Sequence, residues 1–212
     1  GYGLGAFVNN MGGISYVEFF FPALLCSTAM MVSFFESTYG NFTKLTHQKT
    51  YATILMTRMT PDEIVGGELL WGATKGMFGV IGVTVVAGLF GLLSKHIIVA
   101  LPVLFLVCFL FSCLGMVATS FARNYDSFIY STSGFIVPMS LLSGTYFPLD
   151  ELPKTLQYIA YLLPLTHAVS AVRSILTGNY SYVVALHIVI MILAAWLLMN
   201  LSFERIRSKL LK

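Results

Sequence analysis

Long apolar runs separated by short polar segments organise this chain. Five of them stand out, at residues 17–35, 77–93, 97–122, 127–146 and 182–203. Each approaches or exceeds the roughly 17–25 residues that a helix needs to cross the hydrocarbon core of a bilayer. Two intervening stretches, residues 39–67 and 147–179, carry apolar residues at helical spacing but are too short or too interrupted to cross. The pattern predicts an all-α, polytopic membrane protein with five spans in this chain, and residues 1–212 form a single transmembrane domain.

Composition and charge sharpen that picture. Of the 212 residues, 57% are hydrophobic and only 10% charged, and the mean hydropathy is +0.83, leaving too little polar surface for a soluble domain. Lys and Arg collect on the cytoplasmic side of membrane proteins. With the carboxyl end inside, that side holds Lys44, Lys49, Arg58, Lys75, Arg123, Arg205, Arg207, Lys209 and Lys212, against Lys95, Lys154 and Arg173 outside. Five crossings then place Gly1 outside, so a sixth span upstream of Gly1 is expected in the intact protein, the alternative being a five-span protein with its amino end outside. The +3 net charge gathers at one membrane face and carries no argument for nucleic acid. Cys26, Cys108 and Cys113 lie within apolar runs, where a thiol behaves as a small hydrophobe.

The first non-spanning stretch opens with Tyr39-Gly40-Asn41, expected to stop the preceding helix. Phe42, Leu45, Lys49 and Ala52 then share one helical stripe, and Tyr51, Leu55 and Met59 another. This predicts a short amphipathic helix at the inner surface within residues 41–57. It either anchors the loop or docks a cytoplasmic partner on a polar face of Lys44, His47, Gln48 and Lys49. Thr60-Pro61-Asp62-Glu63 follows, a capping box with proline at the first helical position. The helix it starts enters the membrane near Trp71, with Lys75 snorkelling back to the interface.

The second stretch, residues 149–178, reads as two half-helices broken at Pro164 that return the chain to its starting side. The alternative is an outer loop with two surface helices. Leu156, Ile159, Ala160 and Leu163 line one half, and Ala168, Val172, Ile175 and Leu176 the other. Thr166 is the expected cap of the second half, and Gly178 its stop.

Catalytic chemistry is not legible. Gly67-x-x-x-x-Gly72 is followed by Ala73-Thr74-Lys75, where a P-loop needs Lys and then Ser or Thr at once. Gly72 and Gly76, extended by Gly79 and Gly82, suit a face for close helix contact instead. Gly1-Tyr2-Gly3-Leu4-Gly5 lacks the dinucleotide spacing. His47, His96, His167 and His187 stand far apart in sequence, without a second ligand at helical spacing, so no metal site is predicted. His187 is expected to hydrogen-bond a neighbour. Span centres without charge argue against a proton-coupled pump or an ion channel.

Several separate motifs, distributed over nearly the whole chain, carry a resemblance. Ser143-Gly144-Thr145-Tyr146-Phe147-Pro148, and Leu163-Pro164-Leu165-Thr166-His167 with Arg173, resemble the type-2 ABC exporter permeases. Phe35-Glu36-Ser37-Thr38-Tyr39-Gly40, Gln48-Lys49-Thr50 and the segment from Gly67 to Lys75 resemble the NodJ-type lipo-oligosaccharide and polysaccharide export subfamily. The family's amino-terminal amphipathic helix and first span have no counterpart in these residues. The resemblance implies the membrane subunit of an ATP-driven exporter, without nucleotide chemistry or cofactor of its own. It would work as a homodimer in a bacterial inner membrane, with two copies of a cytoplasmic ATPase binding ATP and Mg. Lys44, Thr46, His47, Gln48, Lys49 and Tyr51 would couple to that ATPase. Leu156, Ile159, Leu163, Pro164 and His167 would gate the outer side. Ser131, Thr132, Ser133, Ser140 and Tyr146 would line the pathway for an amphipathic, lipid-linked or glycolipid-like substrate. The rivals are export of a hydrophobic drug-like compound, or an ATPase-independent secondary transporter, which predicts inverted repeats or intramembrane charge.

Overall fold

A computed structural model describes residues 16–210. The glycines of residues 1–5, the placement of Gly1 and Lys212 lie outside them. The described residues are mainly helical, without a strand: α1 (Tyr16–Phe35), α2 (Thr50–Leu55), α3 (Pro61–Leu89), α4 (Ile97–Phe121), α5 (Asp126–Ser131), α6 (Val137–Leu142), α7 (Lys154–Leu162), α8 (Pro164–Leu176) and α9 (Tyr182–Leu210). Among the described residues, four helical runs are long and apolar enough to cross a membrane: Tyr16–His47, Pro61–Leu89, Ile97–Phe121 and Tyr182–Leu210.

The expected stop at Tyr39-Gly40-Asn41 does not occur. Helix α1 continues through π turns at Glu36–Gly40 and Thr43–His47, giving one run of 32 residues. A π turn inserts an extra residue and loosens the carbonyl ladder, and here a neighbour takes up the loosened acceptors. Thr119 of α4 donates to Ser37 O (2.9 Å) and Thr38 O (3.3 Å). The helix therefore passes through Gly40 because tertiary partners satisfy its backbone. The single amphipathic helix expected from Phe42 to Leu55 is accordingly divided into the end of this run, a break at Gln48 and Lys49, and α2.

The capping box forms as expected. Glu63 N–H donates to Thr60 Oγ1 (3.3 Å), Thr60 N–H donates to Glu63 Oε2 (2.7 Å), and Pro61 occupies the first turn. Lys75 does not snorkel freely: it pairs with Glu36 (2.8 Å) and lies over the Trp71 ring, whose indole N–H donates to the same carboxylate.

Helix α4 is the centre of the bundle, with α1, α3, α8 and α9 packed around it. Small residues set how closely these helices approach. A Cβ at Gly72 would meet Ser37 Oγ and Ser112 Oγ; one at Gly76 would meet Ser33 Oγ and Cys108 Sγ; one at Gly79 would meet Val32. Gly82 does not extend this face, since nothing lies within 4 Å of its added Cβ. Gly115 of α4 completes the junction, 2.9 Å from Phe34 O by the same construction. Polar contacts stitch it together: Ser37 Oγ and Ser112 Oγ are 2.7 Å apart, and Ser112 donates to Leu69 O. Ser202 of α9 donates to Cys113 O.

The apolar run at residues 127–146 is helical only to Leu142, in consecutive pieces of six, five and six residues (α5, a π turn Thr132–Ile136, and α6). Gly144, at φ +69°, turns the chain out of it. The rod still connects the two ends of the bundle. Tyr125 at its start bonds Thr43 (2.8 Å), and Tyr146 beyond its finish packs on Phe20.

Helices α7 and α8 meet at 89°. The chain enters this pair beside Gly144 and leaves it at Leu176, whose carbonyl accepts from Ser94 in the α3–α4 connection (2.8 Å). Arg173 bonds Gly144 O (2.8 Å) and Phe19 O, so both ends of the hairpin sit at the same end of the bundle. Thr166 is not the cap of α8. Pro164 starts that helix after extended Leu163, and Thr166 donates instead to Ala160 O (2.6 Å), tying the two halves together.

Candidate functional site

The end of the bundle that gathers most of the basic residues carries the predicted coupling segment. Thr46, His47, Gln48 and Lys49 are exposed at its tip. Lys49 stands at φ +53°, a left-handed conformation uncommon for a residue with a side chain, and makes the sharp turn into α2. Lys44 is turned away from the tip and pairs with Glu68 of α3 (2.7 Å).

Tyr51 also points inward. Its side chain is 1% exposed, and its hydroxyl has no hydrogen-bond partner among the described residues. Burial pushes the phenol above its ordinary range, and the carboxylates of Glu68 and Glu36 push the same way, so it stays neutral. A buried hydroxyl without a partner costs roughly 1–3 kcal/mol. Tyr51→Phe is therefore expected to hold or raise thermal stability in detergent, while Tyr51→Ala loses about 3–5 kcal/mol through the cavity it leaves. A clear loss of melting temperature in the phenylalanine variant would show that the hydroxyl has a bonding role.

An aromatic cluster at this end escaped sequence reasoning. Tyr39, Phe42 and His47 of the first helical run meet Tyr125 and Phe128 of the α4–α5 corner. The Phe42 ring lies 5.0 Å from Tyr125 and 5.4 Å from Phe128, the Tyr39 ring 5.0 Å from Phe128, and His47 stacks on Tyr125 at 5.4 Å and 5°. The partners are separated by about eighty positions in sequence, and no local pattern links them.

The opposite end holds the predicted gate residues. Leu156 and Leu163 are half-buried, and Ile159 is exposed. Tyr158 and Leu162 beside it are 74% and 82% exposed, so α7 presents an apolar surface to its surroundings. Pro164 makes the bend. His167 is brought to His187 of α9, Nδ1 to Nδ1 at 2.8 Å, with its Nε2 2.9 Å from Tyr161 O. With Nε2–H donating to that carbonyl, His167 accepts at Nδ1 and His187 donates. The expected neighbour of His187 is thus a second histidine, at helical positions that sequence spacing did not connect. No group of three metal-ligating side chains occurs among the described residues.

Arg173 has backbone carbonyls as its hydrogen-bond acceptors and lies 3.9 Å over the Phe19 ring. It joins α1, the turn after α6 and α8. Of the predicted pathway residues, Ser131 and Thr132 are half-buried on the α5–α6 rod, Ser133 faces outward and Ser140 is buried. Tyr146, exposed, lies beyond the rod against Phe20.

A bundle of membrane-length helices with a broken hairpin at one end and an exposed polar tip at the other defines a multi-pass membrane protein. The ABC-2 type transporter family model matches residues 2–177, and the chain belongs to that family. It is a permease of an ABC transporter, and such a permease associates with an ABC ATPase. The chain is 38% identical to Nodulation protein J of Rhizobium meliloti over 189 residues, covering 89% of this chain and 72% of that protein. It is 35% identical to Nodulation protein J of Sinorhizobium fredii over its whole length, covering 81% of that protein. It is 27% identical to the inner membrane transport permease YadH of Escherichia coli, over 80% of this chain and 66% of that one. No solved structure matches it.

Proposed function

We propose that this permease forms a homodimer which, with two copies of a cytoplasmic ABC ATPase that bind ATP and Mg, exports an amphipathic lipo-oligosaccharide, glycolipid or polysaccharide-like substrate. The observation that carries the reading is the similarity to Nodulation protein J over the entire chain. The name of the Escherichia coli relative supports placement in a bacterial inner membrane. The asymmetry of lysine and arginine supports a cytoplasmic carboxyl end. The tip Thr46–Lys49 would seat in the ATPase, with Lys44 and Tyr51 bracing it against α3. The α7–α8 hairpin would close the outer end, and the α5–α6 rod would contribute pathway wall. A substrate with a long apolar portion suits spans that present aromatic and aliphatic side chains.

Purification in mild detergent of the permease co-expressed with its ATPase tests the reading. The ATPase is expected to copurify with the parent permease and to hydrolyse ATP in the complex. Replacing His47, Gln48 and Lys49 together by Ala is expected to detach or uncouple it, leaving the permease folded and dimeric. If transport and ATPase activity survive that triple change intact, the tip is a passive anchor.

A further inference from the structure

Resting on the coupling role proposed for the Thr46–Lys49 tip, the structure assigns the aromatic cluster of Tyr39, Phe42, His47, Tyr125 and Phe128 as the joint through which that tip drives the α5–α6 rod, with Tyr125 as the positioning residue. The cluster is well placed for this. Phe42 and Phe128 are buried at 3% and 0%, so the joint has a packed centre, while Tyr125 lies at its rim, 38% exposed. Tyr125 holds the tip in two ways. Its ring stacks face to face with His47, and its hydroxyl bonds Thr43 Oγ1 at 2.8 Å. Thr43 and the tip's His47 both belong to the π turn Thr43–His47, so the grip falls on the last helical turn before the left-handed Lys49.

The rod is built to receive such a push. Its other end packs against α7 and α8, and Arg173 clasps the turn that follows it at Gly144. It thus runs from the tip at one end of the bundle to the broken hairpin at the other. Midway it contains the π turn Thr132–Ile136, where the Thr132 hydroxyl is buried without a hydrogen-bond partner among the described residues. A loosened turn with an unpaired polar group is a place where a helical rod bends at low cost. By contrast, the links to α3 beside the tip are one ion pair, Lys44–Glu68, and the packing of Tyr51, and α3 is locked to α1 and α4 by glycines without room to slide. The tip is also continuous with α1, but the π turns Glu36–Gly40 and Thr43–His47 let the end of that run bend, so motion of the tip is delivered to the rod.

Tyr130 on the rod is 78% exposed and reports its movement without entering the joint. The permease, with its native cysteines replaced and an environment-sensitive fluorophore on Tyr130→Cys, is reconstituted in nanodiscs with its ATPase. Adding ATP is expected to change the emission. In Tyr125→Ala, that change is expected to fall about tenfold, the upper range of a single-residue coupling effect, with the ATPase still bound and still hydrolysing. Tyr125→Phe, which keeps the stack and loses only the Thr43 bond, retains most of it. A variant that fails to fold is recognised by loss of the bound ATPase. In that case a short bifunctional thiol reagent bridging Thr43→Cys and Tyr125→Cys decides: a joint that moves as one body keeps the full ATP response when bridged. A response undiminished in a folded Tyr125→Ala, abolished by the bridge, or absent in the parent with its ATPase bound overturns the assignment. Failure of the ATPase to bind the parent removes the coupling reading itself, and the joint with it.

Discussion

Valine at Gly76 is expected to prevent assembly of the helical bundle. A Cβ there already meets Ser33 Oγ of α1 and stands 2.8 Å from Cys108 Sγ and 3.1 Å from Cys108 Cβ of α4. Ser33 can turn aside, because its hydroxyl faces only the weakly bonding thiol of Cys108. Cys108 is fixed on the central helix. The helices cannot part to make room, since Gly115 already brings α4 against the backbone of Phe34, and Ser37, Ser112 and Leu69 are bonded across the same junction. Overpacking a tight core typically costs about 1–3 kcal/mol, and branched atoms wedged between two helices belong at or above the upper end of that range. Size-exclusion profile and thermal unfolding in detergent provide the measurement. Gly76→Val should give aggregated or unrecoverable protein, and Gly76→Ala a folded but less stable one. Gly82→Val should match the parent, because its added carbon meets nothing within 4 Å. Equal stability of Gly76→Val and Gly82→Val would remove the small-residue junction as a determinant of the fold.

The second large effect is expected at the hairpin. Ile159 lies on α7, where Tyr158 and Leu162 beside it project from the bundle, and Leu163 is the half-buried, extended residue that follows, so the apolar surface of α7 needs cover from lipid or a second copy of the chain. An aspartate at mid-membrane costs about 2.5–3.5 kcal/mol on insertion scales, while surface substitutions on an ordinary loop stay within about 0.5 kcal/mol. Ile159→Asp together with Leu163→Asp is therefore expected to stop export or make proteoliposomes leaky to small solutes. The protein should remain inserted and bound to its ATPase, since Pro164, Thr166 and Arg173 still hold α8 in place. Normal export with a tight seal would make residues 149–178 an ordinary loop and end the gate proposal.

Family membership and the coarse architecture were legible because their determinants are local. Run length marks α1, α3, α4 and α9. Thr60, Pro61 and Glu63 announce the start of α3 within four positions, and Pro164 announces the break in the hairpin. Gly72, Gly76 and Gly79 declare a close-packing face by spacing alone. The failures were local rules overruled by distant partners. Tyr39-Gly40-Asn41 looks like a helix end, yet Thr119 donates to the carbonyls of Ser37 and Thr38 and keeps α1 running. Thr166 looks like a cap, yet Pro164 makes one unnecessary and frees its hydroxyl for Ala160 O. Gly82 looks like part of the packing face, but its position on α3 has turned out of it.

The sequence by itself determined that this is a helical membrane protein with a polar tip and a broken hairpin, since hydropathy, caps and proline act over a few residues of one chain segment. Tertiary structure alone decided what those features touch. It set Tyr125 on His47, His167 on His187, Arg173 on Phe19 and Gly144, and Ser37 on Ser112. Such pairs lie from twenty to more than a hundred and fifty positions apart. Their meeting depends on how the helices cross and rotate about one another, and that is settled by the combined packing of the bundle.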